Sequence, residues 1–357
     1  MKTKISFLLF FVFTSFAFSQ DEPITIGHKF HLESKVLGED REVWISLPNN
    51  YNDSIYTKEN YSVCYFFDGD AHFENMVAQS NRLSSGLYAS MPNTIMVGIL
   101  QKDRTHELTP TNMKAPADWK RVDFSKSGGY PDFLNFIQND LKPYINKKYR
   151  TNGYEILVGH SFGGLATTYT FINHPEYFDA YIALDPSIWW DDALLLKQLD
   201  TTSNLEKFNH KTFFLAKADD VGSGDRHHEA ILALNTKLDS LQTKTNLRYQ
   251  FSFYEGEDHG TVVIPAEYDG LRFIFKGYQL PVKAVMKNPN LLNDHFEEVS
   301  KNLGFTVLPS EALIDKLAKV CVRQGSLNQA KTLLYKNTIY YPNSQHAAKR
   351  YKDFKSK

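Results

Sequence analysis

Runs of apolar residues alternate with amphipathic stretches along most of the chain. "YSVCYFFD" and "NTIMVGIL" are near-continuous apolar runs, which are typical of strands buried on both faces. Further strand candidates are "YEILVG", "FDAYIAL", "KTFFLAKA" and "LRYQFSFY". Helical stretches separate them, including "GYPDFLNFIQNDLKPYINKKY", whose apolar residues recur at helical spacing. This alternation predicts an α/β fold with a mostly parallel central sheet and helices on both faces.

The stretch "ITIGHKFHLESKVLGEDREVWISLPNNY" has a different pattern. It contains two strand-like runs around a "GED" turn, which predicts an antiparallel hairpin at one edge of the sheet. In sheets of this kind the chemistry collects at the carboxyl ends of the parallel strands. The segments that follow the predicted strands are therefore where we expect the functional residues.

The first twenty residues, "MKTKISFLLFFVFTSFAFSQ", carry two lysines, then an apolar run that ends in small residues. This pattern predicts a secretory signal peptide over 1–19, cut near Ser19 or Gln20, and hence a secreted or periplasmic protein. The alternative is a membrane anchor, but the run is short for a span. No cysteine follows it to carry a lipid.

Composition narrows the classes of partner. The chain carries 40 Lys and Arg against 41 Asp and Glu, so charge gives no case for nucleic acid or an anionic membrane. Its two cysteines, Cys64 and Cys321, cannot form a structural zinc site alone. A buried free thiol at Cys64 is favoured over a disulfide. No cofactor or metal is predicted.

One motif suggests chemistry. "GHSFG" fits the G-x-S-x-G pattern and lies between a predicted strand and a predicted helix, as a nucleophile elbow requires. Gly159 and Gly163 clear space for the tight turn, and the turn exposes the hydroxyl of Ser161 above the sheet. The sequence predicts that Ser161 attacks a carbonyl carbon. The alternative is a serine that only caps the helix.

A serine nucleophile needs a base, and His259 is the candidate. It follows the strand "LRYQFSFY" and comes late in the chain, in the order serine, acid, histidine. His160 should point away from the reaction face. His227 and His228 lie in the polar segment "GSGDRHHEA", where we expect them to be solvated.

The orienting acid is expected just past the strand "KTFFLAKA". Asp219, Asp220 and Asp225 lie there, and Asp220 is the first choice, with Asp219 second. The alternative is an enzyme with a serine–histidine pair only.

The oxyanion hole and the substrate contacts come from other post-strand segments. The oxyanion donors are expected to be the backbone N–H of Phe162 and that of Asp70 or Ala71. Trp189 and Trp190 follow "YIAL" and are predicted to lie near the site, one of them filling core. Arg104 either binds an anionic group of the substrate or pairs with a neighbouring acid, Asp103 or Glu107.

The chain resembles a known family. The stretches "VCYFFDGDAHF", "TIMVGILQKDRTHELTPT", "EILVGHSFGGL", "PSIWWDD" and "YEGEDHGTVVIPAEYDGLRFIF" are similar to those of the putative-esterase family of α/β-hydrolases, which includes esterase D and the ferric-enterobactin and bacillibactin esterases. The resemblance covers about residues 25–278 and implies ester hydrolysis through Ser161 and His259. The sequence departs from the family pattern at two places: Asp185 stands where a serine is expected, and "AKADD" stands where many relatives have a glycine followed by an acid, so the choice of the acid stays open.

The C-terminal segment differs in character. "PSEALIDKLAKVCVRQGSLNQAKTLLYKNTIYYPNS" resembles one tetratricopeptide-type repeat. A single repeat cannot bury its own apolar faces, so we expect it to pack on the hydrolase, on the helix around Leu291 to Leu303, or on a second subunit of a homodimer. The predicted organisation is a signal peptide over 1–19, an esterase domain over 20–280 and a helical tail over 288–357.

Two functions from different classes remain at this stage. The first is a secreted or periplasmic serine esterase acting on a small-molecule ester by a Ser-His-Asp mechanism. Its substrate is a siderophore such as a catechol trilactone, an acylated carbohydrate, a feruloyl ester or a short-chain ester. The second is a catalytically inactive binding or scaffold protein on a hydrolase fold.

Overall fold

The computed structural model describes residues 23–115, 123–219 and 225–356. Its centre is one eight-stranded sheet of spatial order β1-β2-β4-β3-β5-β6-β7-β8. The strands are β1 His28–Ser34, β2 Glu39–Ser46, β3 Tyr61–Phe66, β4 Thr94–Ile99, β5 Thr151–His160, β6 Ala180–Leu184, β7 Thr212–Ala218 and β8 Arg248–Tyr254. β1 and β2 form the predicted antiparallel edge hairpin, β2 is antiparallel to β4, and the remaining neighbours are parallel.

Helices connect the strands. They are α1 Gly69–Leu83, α2 Arg104–Leu108, α3 Tyr130–Phe136, α4 Lys142–Lys148, α5 Phe162–Asn173, α6 Trp190–Asp200, α7 Asp225–Gln242, α8 Val263–Ile274 and α9 Val282–Lys287. A π-helical turn, Ile137–Leu141, joins α3 to α4. The tail contains α10 Leu291–Leu303, α11 Glu311–Arg323, α12 Leu327–Tyr340 and α13 Gln345–Lys355. The predicted α/β-hydrolase fold with a helical extension is confirmed.

The sheet separates two hydrophobic layers, because successive strand side chains point to opposite faces. In β3, Val63 and Tyr65 join the layer that α3 to α7 cover. Cys64 and Phe66 join the layer under α1, α8 and the tail. Every residue of β3 is buried, which explains why the strand is apolar without alternation. Cys64 is a buried free thiol, as predicted, and Cys321 is free as well.

The tail packs against the hydrolase. The rings of Tyr154 in β5 and Phe305 stack with centroids 4.7 Å apart, and the apolar residues of α10 and α11 continue the core layer beneath α1 and α8. Glu311, which is 1% exposed, accepts hydrogen bonds of 2.8 Å from the backbone N–H and hydroxyl of Thr57. The expectation that the tail covers its apolar face on the hydrolase is therefore met.

Within the described residues, no helix has the length and apolar character to cross a bilayer. The predicted signal peptide lies outside the described part of the chain.

Candidate active site

Ser161 occupies a sharp turn between β5 and α5. Its backbone has φ 58° and ψ −115°, a conformation that costs free energy for a residue with a side chain. Two backbone hydrogen bonds to the end of β6 and the residues after it hold the turn. The Ser161 N–H donates to the Leu184 carbonyl at 3.0 Å, and the Ser187 N–H donates to the Ser161 carbonyl at 3.0 Å. The strained turn at a strand–helix junction is the geometry predicted for a nucleophile elbow.

The glycines of "GHSFGG" are required by close approach. A Cβ on Gly159 would lie 2.2 Å from the carbonyl carbon of Gly163, so any side chain there would force β5 and α5 apart. A Cβ on Gly164 would lie 2.9 Å from Cβ of Pro186. Close approach thus requires glycine at 159, as predicted, and at 164, whereas a Cβ on Gly163 would meet Cβ of Phe67 at 3.3 Å, a much smaller overlap.

His259 lies in the loop between β8 and α8, and its partner is Asp185. The Nδ1 atom of His259 is 2.6 Å from Oδ2 of Asp185. Asp185 directly follows β6, has a φ of 40°, and is 1% exposed. Its second oxygen, Oδ1, accepts the Ala218 N–H from the end of β7 at 3.0 Å.

The state of this pair follows from its hydrogen bonds. Burial by itself raises the pKa of the Asp185 carboxyl, but hydrogen bonds from His227 and His259 outweigh it and hold that pKa well below its usual range. An ionised carboxylate only accepts, so the Nδ1 atom of His259 carries a proton. In the neutral ring, Nε2 then carries no hydrogen and can accept a proton. The Ser161 hydroxyl is 3.5 Å from that of Ser187.

The carboxylate on His259 is thus not one of the predicted acids. Asp219 turns its carboxylate to the Gly256 N–H, with an Oδ2–N distance of 3.2 Å, and its own N–H donates to Glu257. Asp220 lies outside the described residues, and Asp225 is exposed at the start of α7. β6 and β7 end side by side, so sequence position alone cannot tell which strand supplies the acid. The sequence signal for Asp185 was its departure from the serine expected there.

His227 was expected to be solvated, and that expectation is wrong. The residue is 7% exposed, and its Nε2 atom is 3.0 Å from the same Oδ2 of Asp185. Asp185, His227 and His259 form the one three-residue group in the described ranges whose atoms are close enough to share a metal ion. The two histidine nitrogens lie 2.6 and 3.0 Å from Asp185 Oδ2, which are hydrogen-bond distances. Two ligand atoms of a tetrahedral zinc ion lie about 3.3 Å apart, so these atoms are arranged for hydrogen bonding rather than for zinc.

His160 also lies nearer the site than predicted. Its ring centroid is 4.6 Å from that of His259, and its Nε2–H donates to the His259 carbonyl at 2.7 Å. The expectation that it points away from the reaction face is wrong. Burial lowers the pKa of His160 to about 3, so the ring is neutral near pH 7 and supports the His259 loop without adding charge.

Two helix N-termini meet beside Ser161. α5 begins at Phe162, whose N–H has no intrahelical acceptor. α1 begins after Asp68, which takes a φ of 52°, and the Ala71 N–H donates to the Asp68 carbonyl at 2.9 Å. Of the two predicted alternatives, Asp70 is therefore the one whose N–H is not given to Asp68.

Arg104 connects these helix ends. Its Nε and Nη2 atoms contact the two carboxylate oxygens of Asp68 at 2.6 and 3.0 Å, and Nη2 also donates to the His160 carbonyl at 3.3 Å. Its partner is neither Asp103 nor Glu107. The side chain stays 40% exposed, so the guanidinium is accessible from solvent.

An aromatic cluster lines the same region. Trp190 is fully buried and donates its Nε1–H to the Thr111 hydroxyl at 3.2 Å. Trp189 is 9% exposed, and its ring centroid is 6.4 Å from that of Phe162, the residue after Ser161. Phe124 packs on Trp190 with centroids 4.9 Å apart. Both residues belong to the hydrophobic core, and Trp189 is the one of this pair that keeps a small accessible surface.

The chain is similar to several known proteins. A solved structure, an IroE-like serine hydrolase from Shewanella oneidensis, is 30% identical, aligns over 88% of this chain and 99% of its own, and has a TM-score of 0.76. The siderophore triacetylfusarinine C esterase of Aspergillus fumigatus is 28% identical over 53% of this chain and 65% of its own length. The ferri-bacillibactin esterase BesA of Bacillus subtilis is 30% identical over 48% and 61%.

The match to these two curated esterases covers less than two thirds of either protein. The family model described as "Putative esterase" matches residues 34–263, more than half of the chain, and includes Ser161, Asp185 and His259. The chain belongs to the putative esterase family.

Proposed function

We propose that the protein is a serine esterase in which Ser161, His259 and Asp185 form the catalytic triad. The observation that carries the proposal is the 2.6 Å contact between His259 Nδ1 and Asp185 Oδ2 at the carboxyl ends of the strands, on the side where Ser161 lies on its strained elbow. The named relatives are esterases or serine hydrolases, which supports the same reaction class.

Each residue has a defined step. The Ser161 oxygen attacks the ester carbonyl carbon while its proton passes to Nε2 of His259. The buried Asp185 carboxylate stabilises the imidazolium that forms. The carbonyl oxygen becomes an oxyanion, for which we assign the backbone N–H groups of Phe162 and Asp70 as donors. His259 then returns the proton to the leaving alcohol. Water, deprotonated by the same imidazole, then attacks the acyl carbonyl carbon; the bond to the Ser161 oxygen breaks, His259 returns the proton to that oxygen, and the acid leaves.

We propose a siderophore ester as the substrate class. Two relatives are named for siderophore esters. Trp189 offers a ring surface beside Phe162 for a catechol or another planar group. Arg104, partly exposed next to the α5 terminus, is placed to meet negative charge on such a ligand. Acylated carbohydrates and feruloyl esters are the alternative substrates. We also propose that the protein acts in a secreted or periplasmic location after removal of residues 1–19.

A substrate panel tests the proposal. Purified mature protein and the Ser161→Ala variant are assayed on an acetyl ester, a feruloyl ester and a cyclic catechol trilactone with and without Fe(III). We expect the trilactone to have the highest kcat/KM and the variant to hydrolyse none of the three. A preference for the feruloyl ester would assign the carbohydrate-linked class. No Ser161-dependent hydrolysis of any ester would favour a binding protein on this fold.

A further inference from the structure

A second histidine contacts the acid of the triad. His227, in the first turn of α7, is 7% exposed. Its Nε2 atom is 3.0 Å from Asp185 Oδ2, the oxygen that also lies 2.6 Å from His259 Nδ1. The two imidazole rings stand nearly perpendicular, at 87°, with centroids 5.4 Å apart. One carboxylate oxygen is therefore shared between two histidines.

The protons on these atoms can be assigned from the acceptor. An ionised carboxylate has only lone pairs to offer, so both nitrogens that face Oδ2 carry hydrogen. With the Ala218 N–H on Oδ1, the carboxylate receives three N–H donors. These donors come from α7, from the β8–α8 loop and from the end of β7, so the carboxylate cannot rotate without losing one of them. His227 and His259 therefore both interact with the single negative charge of the Asp185 carboxylate.

We infer that His227 is a positioning residue for the esterase reaction, an inference that rests on the proposed function. Its Nε2–H holds Asp185 Oδ2 towards His259. Because it competes for that oxygen, it also limits how strongly Asp185 stabilises protonated His259. His227 touches neither substrate nor Ser161 in this role and acts only through Asp185.

Three variants separate this role from simple packing. His227→Leu fills space but removes the donor. His227→Gln places an amide N–H the same number of bonds from Cβ as Nε2 and cannot titrate in the assay range. His228→Leu, one residue along the same helix, is the matched control. Each full-length variant is assayed for kcat and for kcat/KM against pH on a small ester, which does not depend on identifying the natural substrate.

The expected results follow from the hydrogen bonds. His227→Leu should lower kcat about tenfold, the loss expected when one bond to a charged orienting group disappears. Its acid limb should move to higher pH, since an unshared carboxylate favours the protonated His259 more strongly. The other titratable groups around His259 are His160 and Asp258, and neither is altered. His227→Gln should restore both quantities, and His228→Leu should leave both unchanged.

Two results would overturn the inference. One is a rate loss in His227→Leu with an unshifted acid limb and no recovery in His227→Gln, because that combination indicates packing alone. The other is unchanged kinetics in all three variants.

A readout without substrate keeps this test apart from that of the proposed function. In histidine-labelled ¹⁵N protein, His227→Leu should delete one low-field imidazole N–H signal and shift a second, that of His259. If this occurs but wild-type protein hydrolyses no ester, the shared contact stands and the reaction assignment falls. If the spectrum does not respond, the shared contact itself is absent in solution.

Discussion

The Asp185→Asn substitution replaces one carboxylate oxygen of the proposed triad by an amide NH₂ group, and the hydrogen bonds around the side chain determine which oxygen is replaced. The side chain is 1% exposed, and its Oδ1 accepts the Ala218 N–H at 3.0 Å. In the variant, the amide oxygen must take that position, because the backbone N–H of Ala218 can only donate, whereas the imidazoles of His227 and His259 that face the other atom can each move their proton to the other ring nitrogen. The amide NH₂ then faces His259.

This orientation forces the wrong tautomer on the base. The Nδ1 atom of His259, 2.6 Å from the substituted atom, would have to accept a hydrogen bond, so the ring proton moves to Nε2. A ring protonated at Nε2 cannot take the proton of Ser161. We expect kcat to fall by about 10⁴, which is about 5.5 kcal/mol of activation free energy. Circular dichroism should stay unchanged because the amide is isosteric with the carboxylate.

The assay is kcat on an activated acetyl ester. Asp219→Asn is the control, because that carboxylate contacts the Gly256 N–H rather than His259, and its rate should stay within about twofold of wild type. Retention of more than a tenth of the activity by Asp185→Asn would refute the reasoning. Loss of activity in Asp220→Asn instead would return the role of the acid to the residue predicted from sequence.

The remaining predictions concern the tail, the acid response and the aromatic surface. Deleting residues 288–357 should lower the melting temperature and cause aggregation while leaving turnover of a small ester in the folded fraction; an unchanged melting temperature would contradict the shared core layer. The pKa of His160 is about 3 in the folded state against 6.5 as its usual value. Between these two pH values the unfolded chain binds more protons than the folded chain, so the stability falls as the pH is lowered. Lowering the pH from 6.5 to 5 costs about 1.6 kcal/mol, and urea unfolding should show a smaller loss for His160→Gln; equal losses would contradict the assignment. Trp189→Ala should raise KM for a catechol ester more than for an acetyl ester, and equal effects on both would place this ring outside the substrate site.

Much of this molecule is predictable from its sequence because its signals are local. The apolar strand runs, the edge hairpin and the elbow around Ser161 depend on neighbouring residues, and all three appear in the structure. His259 was predicted as the base from its place after a strand, and that role stays a proposal. The structure puts Asp185 beside it, and that could not be predicted from spacing.

The contacts of Asp185 with His259 and His227 join distant segments of the chain. β6 and β7 are adjacent and parallel, so acids after either strand come to the same edge of the sheet. The positive φ of Asp185, together with the Ala218 N–H, turns that carboxylate inwards. His227 stands in a polar stretch that reads as solvated. Its burial arises from α7 packing over Asp185, a contact across 42 residues that no local pattern encodes.

Covalent labelling of Ser161 tests the central claim most directly. Mature protein is treated with a fluorophosphonate, and the adduct is located by peptide mass spectrometry. We predict a single adduct on the peptide that contains "GHSFGG", at Ser161, with none in Ser161→Ala and much slower labelling in His259→Gln. An adduct on any other residue, or labelling that persists in Ser161→Ala, would contradict the assignment of Ser161 as the nucleophile.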